Sequence, residues 1–312
     1  MSSALLRPAG QLPSGSGTDD LLQLYLLRFD RVQTRRAYRN DMVAFFGTET
    51  ISLDLARAVS FVDVNEHLRR GELAGLRPAT LRRRTATLRG FFAWLVALGA
   101  LDRNPAARHL VRKVRGGHYS DNALTVLTRE QATRLINCVD LSTATGRRDR
   151  TLMLTMLHCV LRRSEAAAMR IEHIRQVGPY WVLDLPQTKG GADQYVKVPD
   201  YVVEEITIHT EEYMIKSGPL WKSFSNNSYG RALSDRSIYS IVKKHAGRSG
   251  LAATVGTHTL RHTGCTLAID QVASLQQVQA HARHKRIETT MVYIHQRDKL
   301  RDSAADHIRL DV

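Results

Sequence analysis

The sequence from His258 to Tyr293 reads HTLRHTGCTLAIDQVASLQQVQAHARHKRIETTMVY. His258 and Arg261 are three residues apart, so a helix would place both side chains on one face, within reach of the same small anion. His284 comes nine residues before Tyr293. These residues combine hydrogen-bond donors for a phosphate with one hydroxyl nucleophile, a combination that indicates phosphoryl transfer through a covalent phosphotyrosine.

Each of these residues also has a purely structural interpretation. His258 alone is typical of an ordinary histidine at a helix start, and Tyr293 alone is typical of a core tyrosine with a satisfied hydroxyl group. His281, His284 and His295 could suggest a metal site, but no cysteine or carboxylate lies at a suitable spacing. We therefore predict no metal and no cofactor, and only the joint pattern favours catalysis.

Length and charge indicate two domains with a polyanionic partner. The chain has 312 residues, which corresponds to about two domains. Its 45 Lys and Arg residues outnumber 30 Asp and Glu residues, and the net charge is +15. Residues 1–123 contribute +8 and the remainder +7. Because both halves are basic, we expect both to face nucleic acid.

Three features exclude other classes of protein. No apolar run approaches the ~18 residues of a membrane span. The N-terminus lacks the charged start and long apolar region of a secretory signal. Cys138, Cys159 and Cys265 are odd in number and widely spaced, which favours reduced thiols over disulfides or a zinc site. We expect a cytoplasmic, nucleoid-associated protein with no membrane partner.

The N-terminal half is predicted to be a small helical bundle over residues 18–110, after a flexible segment 1–17 rich in Gly, Ser and Pro. Asp19 and Asp20 are suited to cap the first helix, and apolar residues recur at helical spacing from Thr34 to Phe46. A third helix is predicted from Asp54 to Arg70 and a fourth from Pro78. We predict a basic linker over residues 111–123, which contains Arg112, Lys113 and Arg115.

The fourth helix is strongly basic. Arg82, Arg83 and Arg84 are consecutive, Arg89 follows, and no acidic residue occurs between Glu72 and Asp102. A charge run of this kind usually marks a solvated helix face. Because its charge is uncompensated along the sequence, phosphate contact is the favoured interpretation here.

The C-terminal half, residues 124–295, is predicted to be mixed α+β. Thr128 and Gln131 fit a capping box, and a buried helix is expected from Arg147 to Val160. Arg162 then precedes a short helix capped by Ser164 and Glu165, where backbone amides favour an anion. Two strands, Tyr180–Leu185 and Gln194–Val198, flank a turn that carries Lys189, which is either solvated or positioned to enter a groove.

Further helices are predicted at Asp200–Lys216, Ser234–Arg248, Thr257–Asp270 and Leu275–Ala282. Residues 296–312 could form a weakly amphipathic helix that docks on its own domain or on a neighbour.

In its motifs the chain resembles the tyrosine recombinases, the phage-integrase family, which share their catalytic fold with type IB topoisomerases. The resemblance runs from about residue 18 to residue 295. It rests on Leu161-Arg-Arg-Ser-Glu165, Lys189 between the strands, His258-Thr-Leu-Arg-His262, His284 and Tyr293. The stretch Leu88-Arg-Gly-Phe-Phe-Ala-Trp-Leu95, followed by Asn104-Pro-Ala106, resembles the family's helical core-binding domain of SAM-like fold.

The resemblance implies a role for each matched residue. Arg162 and Arg261 would hold the scissile phosphate, and Tyr293 would attack it to give a 3′-phosphotyrosyl bond and a free 5′-hydroxyl group. Lys189 would protonate the leaving oxygen. His258 would assist proton transfer at the tyrosine, and His284 would donate to a phosphate oxygen. Glu165 would orient Arg162.

Three positions depart from the family pattern. Val160 and Arg283 stand where the family usually has glycine, and the turn at Ile269-Asp-Gln-Val272 also lacks one. His281 is a rival for the role of His284, but the nine-residue distance to Tyr293 favours His284.

The resemblance also implies partners and rival functions. Double-stranded DNA with specific recombination sites would be the substrate, and a homotetramer on synapsed DNA would be the working unit. Segment 296–312 would be exchanged between protomers, and an accessory protein or partner recombinase remains open. The rival functions are a topoisomerase or hairpin resolvase of the same chemistry, and a catalytically silent, architectural DNA-binding protein.

Overall fold

The computed structural model describes residues 20–116, 125–185, 194–291 and 293. The chain divides into two compact units, residues 1–121 and 122–312. Helices dominate both, and the sheet of the described residues is a small antiparallel one in the second unit. The predicted fold class, mainly α with a small antiparallel sheet, is confirmed. Among the described helices, none has the length and apolar character that crossing a membrane requires.

The first unit is a helical bundle around α5. Asp20 caps α1 by accepting from the backbone N of Leu22 over 3.0 Å, as predicted. Pro78 occupies the first turn of α5, where its missing N–H costs no hydrogen bond. Leu88, Phe91 and Phe92 of α5 are fully buried in the core. The helices are α1 (Leu21–Leu26), α2 (Val32–Phe46), α3 (Leu53–Arg57), α4 (Phe61–Leu73) and α5 (Pro78–Ala97).

The single helix predicted from Asp54 to Arg70 is wrong, because the chain forms two helices there. Ser60 has extended backbone angles and starts α4. Its hydroxyl oxygen accepts from the backbone N of Asp63 over 3.4 Å, and the carboxylate of Asp63 accepts from the backbone N of Ser60 over 2.8 Å. This reciprocal capping box fixes a new helix start inside an apolar pattern that by itself predicts one helix.

The second unit packs helices around a buried central helix, α7. Thr128 and Gln131 form the predicted capping box at the start of α6. Leu152, Met153 and Met156 of α7 are fully buried. The helices are α6 (Arg129–Asn137), α7 (Ala144–His158), α8 (Arg163–Ala167), α9 (Asp200–Glu212), α10 (Asp235–Arg248), α11 (Thr257–Asp270), α12 (Leu275–Ala282) and α13 (Glu288–Met291).

The sheet has the strand order β1-β2-β3, with β1 (Ile174–Val177), β2 (Tyr180–Leu185) and β3 (Gln194–Val198) all antiparallel. Strands β2 and β3 were predicted, and β1 was not. Most side chains of β1 are exposed, so this strand lacks the apolar alternation that marks a strand in a sequence.

Two predicted helices end earlier than expected. The helix predicted to reach Lys216 ends at Glu212, and Met214 beyond it has a left-handed backbone with φ 48°. The helix predicted from Arg147 to Val160 spans Ala144–His158 instead, and Val160 has φ 42°. A left-handed residue cannot continue a right-handed helix. The chain therefore turns sharply before Arg162.

Candidate active site

Helices α7 and α11 touch backbone to backbone at Gly264. A Cβ atom at this position would lie 2.3 Å from the carbonyl oxygen of Leu157 and 2.7 Å from Cγ1 of Val160. Because such distances are shorter than any van der Waals contact, only glycine fits. This contact holds Arg261, three residues earlier on α11, beside the turn that leads from α7 to Arg162.

Arg162 is the residue immediately before α8, as predicted. Its backbone N–H donates to Oε2 of Glu165 over 2.8 Å, and its Nη1 donates to Oε1 of Glu165 over 2.6 Å. The helix therefore starts at Arg163, with Glu165 capping the amide of Arg162, and Ser164 is not the cap. The side chain of Arg162 keeps 32 % of its surface exposed, so its guanidinium is accessible to a ligand.

Arg261 lies on the inner side of α11 and is almost fully buried. Its two Nη atoms donate to the carbonyl oxygens of Val160 and Ala282. Burial, with the charges of Arg162 and Arg283, lowers the pKa of Arg261 to about 10, so it is protonated at neutral pH. It thereby links the turn after α7 to the end of α12.

Glu165 is the buried carboxylate that both flanking arginines share. Besides its bonds with Arg162, its Oε2 accepts from Nη2 of Arg283 over 2.9 Å. Burial raises the pKa of Glu165, but the charge of Arg283 and the hydrogen bonds from Arg162 outweigh burial and hold it below its usual value. At neutral pH the group is a carboxylate among three arginines.

Tyr293 is buried, with 2 % of its surface exposed. A hydrogen bond of 2.8 Å joins its hydroxyl group and Nδ1 of His262, which lies next to Arg261 on α11. Burial, followed by the charges of His258 and Arg261, lowers the pKa of His262 to about 4. The imidazole beside the tyrosine hydroxyl is therefore neutral at neutral pH and can accept a proton.

His258 lies one turn before His262 on α11, and its ring centroid is 6.3 Å from that of His262. Its side chain reaches the surface, although neighbouring atoms desolvate it. This desolvation and the charges of Arg261, Arg163 and Arg162 lower its pKa. His258 therefore faces the arginine cluster, as the sequence spacing predicts, while the ring bonded to Tyr293 is that of His262.

His284 lies against the ring of Tyr293 in a stacked arrangement, with 6.1 Å between ring centroids. Its Nδ1 is 2.9 Å from the hydroxyl oxygen of Thr290. Burial and then the charge of Arg261 bring its pKa down to about 4, and Arg162 adds to the effect. The rival His281 is engaged elsewhere, because its Nε2 donates to the carbonyl oxygen of His158 over 2.7 Å. The surroundings of His284 therefore fit the predicted phosphate contact better than those of His281.

The arrangement brings together one hydroxyl nucleophile, two neutral imidazoles and a cluster of guanidinium groups. Such a set can stabilise a pentacovalent phosphate and move a proton. Within the described ranges, histidine, cysteine and carboxylate side chains form no cluster of three or more that could hold a metal ion. Lys189 lies outside the described residues, as do residues 1–17 and 296–312.

Comparison with known proteins identifies the family. The model of the phage integrase family matches residues 125–299, and the model of the phage integrase N-terminal SAM-like domain matches residues 23–99. The chain belongs to the phage integrase family. It is a tyrosine recombinase, as the resemblance implied, and the predicted SAM-like fold of its N-terminal domain is confirmed.

Individual relatives agree with this assignment. A tyrosine recombinase from Synechococcus elongatus is 28% identical over 307 residues, which cover 93% of this chain and 92% of the relative. The tyrosine recombinase XerC of Xylella fastidiosa is 31% identical over 274 residues, covering 84% and 85%. A crystal structure of a lambda integrase tetramer bound to a Holliday junction superposes with a TM-score of 0.69 at 17% identity, covering 89% of this chain and 78% of that one. This structural likeness shows the shared fold.

The basic residues of the first unit form more ion pairs and hydrogen bonds within the protein than the sequence suggested. The expectation of uncompensated charge is wrong for Arg83, which pairs with the buried carboxylate of Asp41, while Nε of Arg84 lies 3.9 Å from it. Asp41 belongs to α2, so no count along α5 could find it. Arg89 donates to the carbonyl oxygen of Ala106 over 3.0 Å. DNA contact by these arginines stays a prediction.

The remaining predicted DNA contacts lie at or near the linker. Nη1 of Arg82 donates to the carbonyl oxygen of Gly116 over 2.7 Å. Arg112 pairs with Glu72 at 2.7 Å. The side chains of Lys113 and Arg115 are exposed. These residues too remain predicted contacts.

Sequence reasoning missed two residues of the site. His262 was visible in the motif but received no role, although its position four residues after His258 places both on one helix face. Arg283 was noted only as a missing glycine. Its side chain turns inward to Glu165, and no sequence signal shows that direction.

Proposed function

We propose that this tyrosine recombinase is a site-specific DNA recombinase that cleaves and rejoins strands through a 3′-phosphotyrosyl intermediate, with Tyr293 as nucleophile. The observation that carries the proposal is the convergence of Tyr293, His284 and Arg261 on the turn that holds Arg162. A nucleophile, proton-accepting imidazoles and phosphate-binding arginines thus occupy one cluster. The strand cleavage and rejoining serve integration, excision or resolution of DNA.

The arginines supply charge neutralisation in this mechanism. Arg162 and Arg261 bind the non-bridging oxygens of the scissile phosphate, because a guanidinium donates two parallel hydrogen bonds and stays charged. Glu165 orients Arg162 through the bonds described above. Arg261 exchanges its bonds to the carbonyl oxygens of Val160 and Ala282 for bonds to phosphate.

The proton transfers involve the imidazoles and Lys189. Tyr293 attacks phosphorus, and its phenol proton leaves to a neutral imidazole of the site, with His258 assisting. The bond from phosphorus to the 5′-oxygen breaks, and Lys189 protonates that oxygen. His284 donates to a phosphate oxygen. The phosphotyrosyl ester conserves the energy of the phosphodiester, so a 5′-hydroxyl group of another strand can reverse the reaction.

Double-stranded DNA with specific sites is the proposed partner, and a homotetramer on two synapsed sites is the proposed working unit. The fold shared with the lambda integrase tetramer on a Holliday junction supports this assembly. We propose that segment 296–312, which lies outside the described residues, links the protomers. A chain ending at residue 295 is expected to bind one site as a monomer but to lose strand exchange. Unchanged recombination by that truncated chain would contradict the proposed exchange.

Covalent trapping tests the chemistry. Wild type is incubated in EDTA with end-labelled, nicked duplexes made from DNA that flanks its gene, and the products are resolved on a denaturing gel. A covalent adduct is expected with wild type and with Tyr201→Phe, and none with Tyr293→Phe. Tyr201 is a suitable control because it is a tyrosine of α9 whose hydroxyl group already bonds to His158.

The products then distinguish the rival functions. Exchange between two copies of one site supports a recombinase. Relaxation of supercoiled DNA without site preference would favour a topoisomerase, and hairpin ends would favour a hairpin resolvase. Specific binding with no adduct on any nicked site would favour a silent architectural protein and overturn the proposal.

A further inference from the structure

Arg283 places a third guanidinium beside Arg162 and Arg261. Only 8 % of its surface is exposed, and it follows directly on α12 with φ 55° and ψ 45°. This left-handed conformation is unfavourable for a residue with a Cβ atom, whereas glycine adopts it freely. Glycine is the usual residue here in the family pattern, so the chain carries backbone strain in order to place an arginine side chain.

The side chain of Arg283 binds the turn after α7. Its Nη1 donates to the carbonyl oxygens of His281 over 2.7 Å and Cys159 over 3.4 Å. Its Nη2 donates to the carbonyl oxygen of Val160 over 3.2 Å. Val160 is itself a left-handed residue at a usual glycine position. The two departures from the family pattern are therefore in direct contact with each other.

Arg283 also changes how Glu165 and Arg162 interact. Nη1 of Arg162 donates to Oε1 of Glu165, while Oε2 accepts from both Nη2 of Arg283 and the backbone N–H of Arg162. Nη2 of Arg162 donates to the carbonyl oxygen of Arg283 over 3.4 Å. A carboxylate facing a single arginine can form a two-point pair, which is the strongest geometry between these groups. With Arg283 on the second oxygen, Arg162 has a single side-chain bond to Glu165 and remains 32 % exposed.

We propose that Arg283 is a positioning residue for DNA cleavage: by occupying Oε2 of Glu165 and the carbonyl oxygen of Val160, it keeps Glu165 from forming a two-point pair with Arg162. The charge of Arg162 is then available to the scissile phosphate. This role rests on the proposed function, because it concerns the phosphate that Arg162 binds. Arg283 acts on that phosphate through Glu165 and Arg162, because its own guanidinium is held by Glu165 and by the carbonyl oxygens of the turn after α7.

The charges around Glu165 make this coupling measurable. Arg162 faces it from the position before α8, Arg283 from the end of α12 and Arg261 from α11. Across a small cavity between α8 and the sheet lie His173 and Asp184. Burial raises the pKa of Glu165, and Arg283 is the foremost of the opposing causes. Removal of the Arg283 guanidinium should therefore raise this pKa.

Three substitutions at Arg283 separate the effect of the side-chain charge from the effect of the left-handed backbone conformation. Arg283→Gly and Arg283→Asn remove the guanidinium, and both residues tolerate the left-handed conformation. Arg283→Lys keeps the positive charge. Thermal unfolding of each variant gives the folded fraction, to which all rates are normalised.

The first measurement needs no DNA. Titration of the Glu165 carboxyl carbon by ¹³C NMR, assigned through loss of its signal in Glu165→Gln, should give a higher pKa in Arg283→Gly and Arg283→Asn. The value in Arg283→Lys should lie near that of wild type. An unshifted pKa in the glycine and asparagine variants would overturn the proposed coupling.

The second measurement is single-turnover cleavage of the nicked duplex that traps wild type. The glycine and asparagine variants should bind it normally and cleave roughly 10- to 100-fold more slowly, as expected for a lost hydrogen bond between charged groups. Their loss should shrink at acidic pH, because a Glu165 that has taken up a proton no longer forms the two-point pair with Arg162. Arg283→Lys should recover part of the rate. A merely structural role would lower the folded fraction without moving the pH profile.

Two outcomes distinguish a failure of the role of Arg283 from a failure of the proposed function. Folded Arg283→Gly that cleaves at the wild-type rate would overturn the role of Arg283 alone. Wild type that binds its site without forming an adduct would instead overturn the proposed function, and with it the role of Arg283 in cleavage.

Discussion

Nδ1 of His262 lies 2.8 Å from the hydroxyl group of Tyr293, so the imidazole bonded to the hydroxyl group of the proposed nucleophile belongs to the residue next to Arg261. The hydrogen bond holds the tyrosine ring in a pocket where it also stacks on His284. Because burial, with the charges of His258 and Arg261, keeps the pKa of His262 at about 4, its ring is neutral at neutral pH. It can therefore both position the phenol and accept its proton.

Replacement of His262 by phenylalanine should slow cleavage by roughly 100-fold, the lower range for loss of a general base. Single-turnover adduct formation on the nicked duplex measures the effect. The deficit should shrink at alkaline pH, where the phenol ionises unaided, and DNA affinity should not change. His281→Phe is a matched control, because its ring bonds to a backbone carbonyl oxygen instead of the tyrosine. Equal rates for wild type and His262→Phe would exclude His262 from the proton transfer.

The protein should lose stability as the pH falls from about 6.5 to about 4, because buried histidines resist protonation. Burial lowers the pKa of His209, whose side chain is fully buried, to about 4, with the charge of Arg148 acting in the same direction. The unfolded chain binds the proton near pH 6.5 and the folded chain only near pH 4. The stabilisation is complete above pH 6.5 and is lost through this window.

Urea unfolding at a series of pH values measures this loss. His209 alone should contribute a slope of about 1.4 kcal/mol per pH unit within the window. His209→Gln should flatten the curve there, while its stability at pH 8 should fall because the bond to the carbonyl oxygen of Leu220 changes. An identical pH slope in wild type and His209→Gln would mean that His209 is not held neutral.

Replacement of Gly264 by alanine should destabilise the second unit by about 2–3 kcal/mol, the range for a forced insertion into a packed interior. The added Cβ would meet the carbonyl oxygen of Leu157 at 2.3 Å, so the two helix backbones must separate. Gly247→Ala is the matched control, since a Cβ at that position on α10 meets no atom within 4 Å. The control should gain up to about 1 kcal/mol from helix propensity. Similar unfolding midpoints for both variants would contradict a close contact at Gly264.

Arg83 of α5 and Arg115 of the predicted linker should differ in how their replacement changes stability and DNA affinity. Arg83→Ala leaves the buried carboxylate of Asp41 without its nearest cation, so the first unit should lose stability as well as DNA affinity. Arg115→Ala, at an exposed position, should reduce affinity alone. Binding isotherms over a range of salt concentrations should show a slope smaller by about one for each phosphate that the variant no longer neutralises. A salt slope that matches wild type in either variant would place that side chain away from DNA.

Local sequence patterns predicted the positions of Arg162 and Arg261 because their elements are defined by neighbouring residues, whereas His284 was chosen by its nine-residue distance to Tyr293, which matches the family pattern. Glu165 caps the amide three residues before it, and His258 and Arg261 share a helix face by spacing alone. The five-part motif then supplied the family, which the wider comparison confirms. Fold class and family thus followed from short-range information.

What the sequence did not reveal depends on contacts between distant segments. Asp41 reaches Arg83 from another helix, and Arg283 reaches Glu165 across 118 positions. In both pairs the two charges come from different segments, so the sequence of either segment alone does not show that its charge is paired. Strand β1 was missed for a different reason, because it is held by main-chain hydrogen bonds to β2 while its side chains stay mostly exposed. The pattern of apolar and polar side chains does not predict such a strand.

The bonds from Arg261 to the carbonyl oxygens of Val160 and Ala282 have a consequence for selectivity in the cell. Inorganic phosphate and free nucleotides are abundant competitors for any arginine pair, but they meet an arginine that is 4 % exposed and whose two Nη atoms are both bonded to backbone carbonyl oxygens. A small anion offers too few contacts to open that arrangement, whereas a duplex can draw on binding along many base pairs. The closed arginine would thereby screen out soluble metabolites without any steric filter.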